Sequence, residues 1–144
     1  MAGEQSYKNH TRFVPLFHVG VLASLLAYFV WALIEVFRGF SSGSVMNLLL
    51  AVALILMALS LRTQVLTVQD RVIRLEMRLR MRELLHPELA EQAAALSIRQ
   101  LIALRFASDS ELTDLVREVI AGRLTEPKDI KQRVKNWQGD FLRA

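Results

Sequence analysis

The chain has 144 residues, of which 53% are hydrophobic and 22% are charged, with a formal net charge of +4 and no cysteine. The lack of cysteine excludes disulfides, thiolate metal sites and a cysteine nucleophile. The charge is unevenly placed, because 15 of the 18 Lys and Arg and 12 of the 14 Asp and Glu lie at or beyond Arg62. The first 61 residues are therefore predicted to occupy a different environment from the rest.

Two long apolar runs come first, Phe13–Ile34 and Gly39–Leu61, and neither contains a formal charge. A helix of about 20 apolar residues crosses the hydrocarbon core of a bilayer, where the backbone must satisfy its own hydrogen bonds. We predict transmembrane helix 1 over residues 13–37 and transmembrane helix 2 over residues 45–61, with an external loop at residues 38–44. So short a loop makes the two helices antiparallel neighbours, which is a helical hairpin.

The positions of Lys and Arg predict the orientation of this hairpin. Only Arg38 lies in the loop, whereas Lys8 and Arg12 precede the first run and six arginines follow the second between Arg62 and Arg82. Cytoplasmic segments carry the excess of positive charge. We therefore predict that the N-terminal segment, residues 1–12, and everything after residue 61 are cytoplasmic.

Small residues recur in the first run, where Gly20 and Ser24 are four positions apart. This spacing lets helix backbones approach closely in membranes. The pair is interpreted either as the contact face of the hairpin or as a contact with a partner protein.

The second helix is predicted to continue past the apolar run as a cytoplasmic stem, residues 62–86. No Gly or Pro interrupts the chain from Val45 to Leu85. Apolar residues step by four and three, as in a coiled coil, and we call them the stem seam: Leu61, Val65, Val68, Val72, Leu75 and Leu79. A second line, Ile73, Met77 and Leu84, widens the apolar face. Two interpretations stay open, self-association through the seam or cover by the chain's own C-terminal helices.

Arginines recur along the same stem, at Arg71, Arg74, Arg78 and Arg82. Arg71, Arg74 and Arg78 are candidate ligands for anionic lipid head groups, which attract such residues close to a membrane surface. The alternative is that they only determine topology and form helix pairs with acidic residues one turn away. The predicted pairs of that kind are Asp70–Arg74 and Glu76–Arg80.

The remaining residues, 87–144, are predicted to form a small helical domain. Pro87 ends the stem and begins a helix over residues 87–96. Two capping-box patterns, Ser97 with Gln100 and Ser108 with Glu111, begin helices over residues 98–106 and 109–121.

The end of this domain follows from the same kinds of signal. Gly122 is placed to end the helix over residues 109–121. A last helix begins at Pro127, places Ile130, Val134 and Trp137 on one face, and ends at Gly139. About 58 residues make a marginal core, so we expect this domain to pack on the stem, on a second copy or on a partner.

Few residues point to chemistry, and no nucleotide-binding or zinc-protease motif occurs. His18 lies within the first run and is interpreted as a hydrogen-bonding residue, with haem ligation as the alternative. Glu35 is interpreted as an end-of-span residue paired with Arg38, with an ion or proton role as the alternative. We predict no catalytic residue, no metal site and no cofactor.

A basic group near the C-terminus raises the question of nucleic acid, since basic residues beside an aromatic ring bind phosphate backbones. The group comprises Lys128, Lys131, Arg133, Lys135 and Trp137. Because Trp137 shares its face with apolar residues, the basic residues are interpreted as a solvated face. We predict no nucleic-acid partner.

Five segments of the chain stand out together: Tyr7–Pro15, Val68–Glu76, Gln100–Ser108, Ile130–Gln132 and Lys135–Trp137. In these segments the chain resembles a bacterial family of two-span inner-membrane proteins of unknown function. The resemblance covers nearly the whole chain. It implies a location in the bacterial inner membrane, and it implies no activity, cofactor or catalytic residue.

These observations predict an all-α membrane protein with a transmembrane hairpin, a stem and a small C-terminal helical domain. The leading hypothesis is a non-catalytic structural or accessory subunit that assembles with itself or with a larger membrane complex. Two alternatives stay open, a membrane adaptor that recruits a soluble cytoplasmic partner and a small ion or proton translocator. Membrane lipids are the other expected partners, and no small-molecule substrate is identified.

Overall fold

The computed structural model describes residues 14–140, and within them every named element is helical. A π-helical turn, Leu16–Val21, runs directly into α1. The α-helices are α1 Leu22–Arg38, α2 Ser42–Leu84, α3 Pro87–Ala93, α4 Ile98–Leu104, α5 Asp109–Ile120 and α6 Pro127–Arg133. The described residues divide into two compact units, 14–65 and 66–140. The predicted N-terminal segment, residues 1–12, and the first residue of the predicted first span, Phe13, lie outside the described residues.

Helices α1 and α2 are joined by a connection of only three residues, Gly39–Ser41, which is shorter than the predicted loop at 38–44. Two serines cause α2 to begin early. The backbone N–H of Ser44 donates to Oγ of Ser41 at 3.1 Å, and the N–H of Ser41 donates to Oγ of Ser44 at 3.0 Å. This reciprocal capping satisfies two backbone donors at the start of a helix, so α2 begins at Ser42 and not at Val45.

Helix α2 is 43 residues long and unbroken, as the absence of Gly and Pro predicts. In the 66–140 unit its buried residues Ile73, Met77 and Met81, with Leu85 directly after its end, belong to one core with α4, α5 and α6. The predicted line Ile73, Met77 and Leu84 is wrong at its end, because Leu84 is 39% exposed. A spacing of four keeps a helix residue on the same face, and Leu85, not Leu84, continues that spacing.

The core of the 66–140 unit is larger than residues 87–144 alone provide. Its fully buried members from α4, α5 and α6 include Leu101, Leu104, Leu112, Val116 and Ile130. The stem residues complete this core from the same chain. The expected shortage of apolar surface is therefore made up by the stem.

Both predicted capping boxes are present. Ser97 and Gln100 begin α4, and Ser108 and Glu111 begin α5. Gly122 ends α5 as predicted, with a φ of 71°. The N–H of Gly122 donates to the carbonyl of Val119 at 3.1 Å, which is one of the two hydrogen bonds of a Schellman motif.

The last predicted helix is wrong beyond Arg133. Val134 is extended, with a ψ of 123°, and Trp137 forms an antiparallel bridge with Ala107. The N–H of Gln138 donates to the carbonyl of Phe106 at 2.8 Å. These contacts hold the segment after α6 against the connection between α4 and α5, which a continued helix would not permit.

We expect Gly122→Ala to lower the free energy of unfolding of the 66–140 unit by about 1–2 kcal/mol. The cause is backbone strain, because a Cβ disfavours positive φ by about that amount, while the space around Gly122 is open. Urea unfolding of the full chain in detergent measures the loss. Gly122→Asn is the control and should lose less, since Asn tolerates this conformation. Equal losses for both variants would contradict the strain argument.

Candidate interaction surface

The stem seam is open in the structure. Its six residues have exposed fractions from 46% at Val65 to 61% at Leu75. Within the 66–140 unit, Val68, Val72, Leu75 and Leu79 form an apolar row along α2 that no other described element of that unit buries. Contiguous apolar surface of this kind commonly marks an interaction site.

The seam and the buried residues of α2 lie on roughly opposite sides of the helix. At 3.6 residues per turn, Ile73, Met77 and Met81 point about 100°, 140° and 180° away from Val72 around the helix axis. The C-terminal helices cover the first group and leave the second exposed. The chain's own C-terminal helices therefore cover the face of Ile73 and do not cover the seam.

The arginines of the stem fall into two groups. The candidate head-group ligands, Arg71, Arg74 and Arg78, are all exposed, as is Arg82. Arg80 instead donates from Nε to Oδ1 of Asp109 at 2.7 Å and from Nη2 to the carbonyl of Ala107 at 2.6 Å.

The two predicted helix pairs of the stem are both wrong. Arg80 turns to Asp109 of α5 and not to Glu76, because two acceptors on the connection before α5 and at its start hold its guanidinium together. Asp70–Arg74 is not among the ion pairs formed within residues 14–140.

Gly20 and Ser24 are both exposed and do not form the contact between α1 and α2. The hydroxyl of Ser24 donates to the carbonyl of Gly20 within its own helix. The small residues buried in the 14–65 unit are instead Ala32, Ser44, Ala51 and Ala58. The interpretation of Gly20 and Ser24 as the hairpin contact is therefore wrong, and contact with a partner stays a prediction.

An apolar groove runs between the π-helical turn with the start of α1 and the middle of α2, within the 14–65 unit. Its lining includes Phe17, Val21, Leu25, Leu54 and Met57, with a volume of 440 Å³. Arg62 stands at this groove, with its guanidinium carbon 5.6 Å from the ring centroid of Phe17. The groove is open and almost wholly apolar.

The two polar residues singled out in the first run have local partners. Nδ1 of His18 lies 2.9 Å from the carbonyl oxygen of Val14. Glu35 forms an ion pair with Arg38 at 3.8 Å, which confirms the predicted pairing. In the part of the chain that the structure describes, no group of three His, Cys, Asp or Glu is placed to hold a metal ion.

Two residues of the basic group near the C-terminus, Lys131 and Arg133, contact other parts of the fold. Lys131 lies 5.7 Å from the ring centroid of Phe106, and Trp137 packs on the same ring at 4.8 Å. Arg133 forms an ion pair with Glu118 at 3.2 Å. Ile130 and Val134 are buried, as the apolar face predicts.

The Arg133 side chain, by hydrogen bonding, holds the pKa of Glu118 below its ordinary value of 4.5. A lowered pKa contributes stability that is present above pH 4.5 and lost as the pH falls through the lowered value. We expect Arg133→Gln to move the pKa of Glu118 back towards 4.5, as measured by carboxyl NMR titration of the full chain.

Lys128→Gln is the control for that titration. Lys128 is an exposed residue of α6 that does not contribute to the lowering at Glu118. An equal rise of the Glu118 pKa in both variants would assign the effect to overall charge and contradict the specific pairing.

The described chain is thus an all-helical protein with two helices long and apolar enough to cross a membrane, Leu16–Arg38 and Ser42–Leu84. It belongs to DUF6526, a family of unknown function whose sequence model matches residues 1–144. No curated protein and no solved structure is detectably similar to it.

Proposed function

We propose that this protein is a non-catalytic, membrane-anchored structural or accessory subunit that assembles with itself through the stem seam. The observation that carries the proposal is the division of α2 into two apolar faces. The chain's own helices bury the face of Ile73 and Met77, and the seam from Val65 to Leu79 is left exposed. A second copy would supply the apolar surface that buries the seam, which the chain's own helices leave exposed.

Membrane insertion is supported by how little of the apolar helices is buried. In the most apolar 18-residue window of each helix, the buried share is 6% for Leu16–Arg38 and 17% for Ser42–Leu84. The core helix of a water-soluble protein is, in contrast, mostly buried. Lipid acyl chains would cover these surfaces and the side of the groove formed by Phe17, Val21 and Leu25. We further propose a bacterial inner-membrane location, with the residues before α1 and after α2 on the cytoplasmic side.

The exposed arginines of the stem suit an anionic membrane surface. Each Lys or Arg close to such a surface contributes about 1 kcal/mol, and the effect falls off within a Debye length. Of these three candidates, Arg71 is the closest in sequence to the apolar run and would contribute more than Arg74 or Arg78. Lipid contact would add to anchoring and would not replace the seam as the assembly surface.

Native mass spectrometry after gentle detergent extraction tests the assembly. We expect the full chain to appear as a multiple of its 16.4 kDa mass. Leu75→Glu should return it to single copies, because it places charge in the seam. Arg74→Glu is the matched control on an exposed stem position outside the seam and should leave the assembly intact.

Three results would overturn the proposal. The first is an unmutated chain that stays a lone monomer at every concentration. The second is an assembly that survives Leu75→Glu. The third is an assembly that forms only with a different protein, which would favour the adaptor alternative.

A further inference from the structure

We infer that the partner on the seam is one second copy, parallel and in register, and that ion pairs between Arg71 and Glu76 and between Arg78 and Glu83 of the two copies select this arrangement. The inference rests on the proposed self-assembly and specifies its geometry. It assigns a role to two acidic residues, Glu76 and Glu83, that the apolar pattern alone does not single out.

The heptad register follows from the spacing of the seam. With Val65, Val72 and Leu79 at the a positions, Val68 and Leu75 occupy the d positions. Two of the three a positions hold valine, and two of the three d positions, Leu61 and Leu75, hold leucine. This combination favours two-stranded parallel coils, and Val68 and Leu79 depart from it. The next d position is Arg82, so the seam ends after Leu79.

The residues beside the seam carry complementary charges. Arg71 and Arg78 occupy g positions, and Glu76 and Glu83 occupy the e positions that follow them. In a parallel pair, a g residue lies beside the following e residue of the other helix, where opposite charges determine partner and orientation. Both copies contribute both pairs, so the interface would contain four attractive contacts.

The structure leaves all four side chains available. Arg71, Glu76, Arg78 and Glu83 are exposed, and none of them belongs to an ion pair within residues 14–140. An antiparallel pair would instead place Arg beside Arg and Glu beside Glu. Two copies inserted in the membrane with the same orientation would have parallel α2 helices, because each α2 continues unbroken into the stem.

Charge reversal tests the inference on full-length protein in an uncharged detergent, by energy transfer between labelled copies. We expect Arg71→Glu with Arg78→Glu to weaken self-association by about tenfold or more, since four attractive contacts become repulsive. Glu76→Arg with Glu83→Arg should weaken it equally. A mixture of the two double variants restores every attractive contact and should associate at least as well as the unmutated chain.

Arg74→Glu is the matched control, because Arg74 is exposed on the same stem but lies outside the e and g positions, and it should have little effect. Restoration in the mixture also demonstrates that both variants are folded. Association unchanged by either reversal, or not restored in the mixture, would overturn the parallel register while leaving self-assembly standing. Absence of energy transfer in the unmutated chain would instead contradict the proposed self-assembly itself.

Discussion

Phe106→Ala is expected to lower the free energy of unfolding of the 66–140 unit by about 3–5 kcal/mol. Phe106 is 1% exposed, and its ring packs on Trp137 at 4.8 Å. The guanidinium carbon of Arg105 lies 4.7 Å from the ring centroid. Removing the ring therefore leaves a cavity and removes the surface on which the segment after α6 rests. Urea unfolding followed by Trp137 fluorescence, in a Trp31→Phe background, measures the loss.

Leu84→Ala is the control for this measurement, because Leu84 is 39% exposed although it precedes the buried Leu85. It should cost less than about 1 kcal/mol, as substitutions at largely exposed positions do. If Phe106→Ala cost no more than Leu84→Ala, the packing of Phe106 on Trp137 would not be a main contributor to this core.

Glu111→Ala should lower the free energy of unfolding of the 66–140 unit by about 2–4 kcal/mol. Hydrogen bonds to a charged group contribute about 1.5–3 kcal/mol each, and a partly exposed carboxylate realises only part of their sum. Its carboxylate accepts from three backbone N–H groups. They belong to Ser108 at 3.2 Å, Lys135 at 3.1 Å and Asn136 at 3.1 Å. One side chain thus caps α5 and holds the segment after α6.

Amide hydrogen exchange distinguishes this role from simple helix capping. In Glu111→Ala, exchange at the N–H of Gln138 should accelerate, because the segment that carries it loses two of its hydrogen bonds. Glu91→Ala, an exposed position on α3, should change neither stability nor exchange. A loss of stability with unchanged exchange at Gln138 would show that Glu111 acts only as a cap of α5.

Local signals in the sequence predicted most helix starts, because the atoms involved are a few residues apart. The capping boxes at Ser97 and Ser108 and the C-cap at Gly122 are of this kind. The end of α6 could not be predicted in this way. It depends on Trp137 meeting Phe106 and Ala107, about thirty residues earlier, and the apolar spacing of Ile130, Val134 and Trp137 fits a helix equally well.

The stem shows the same limit. Its heptad spacing predicted an apolar seam, but the sequence does not say which side of the helix the C-terminal helices cover. In the structure they cover the side of Ile73, Met77 and Met81. Arg80 pairs with Asp109, whereas local spacing favoured Glu76. Glu76 and Glu83 were missed as candidate contact residues, although assigning the heptad positions from Val65 onward would have identified them.

The completion of the core by Ile73, Met77, Met81 and Leu85 from the same chain would have a consequence for the control of the proposed self-assembly. Each chain has what it needs to fold before it meets another, so pairing would be a separate, reversible step. The fraction paired would then depend on how many copies share a given area of membrane. Such a protein would respond to its own expression level by pairing or separating while each copy stays folded, in contrast to an obligate dimer, whose single copy is not stably folded.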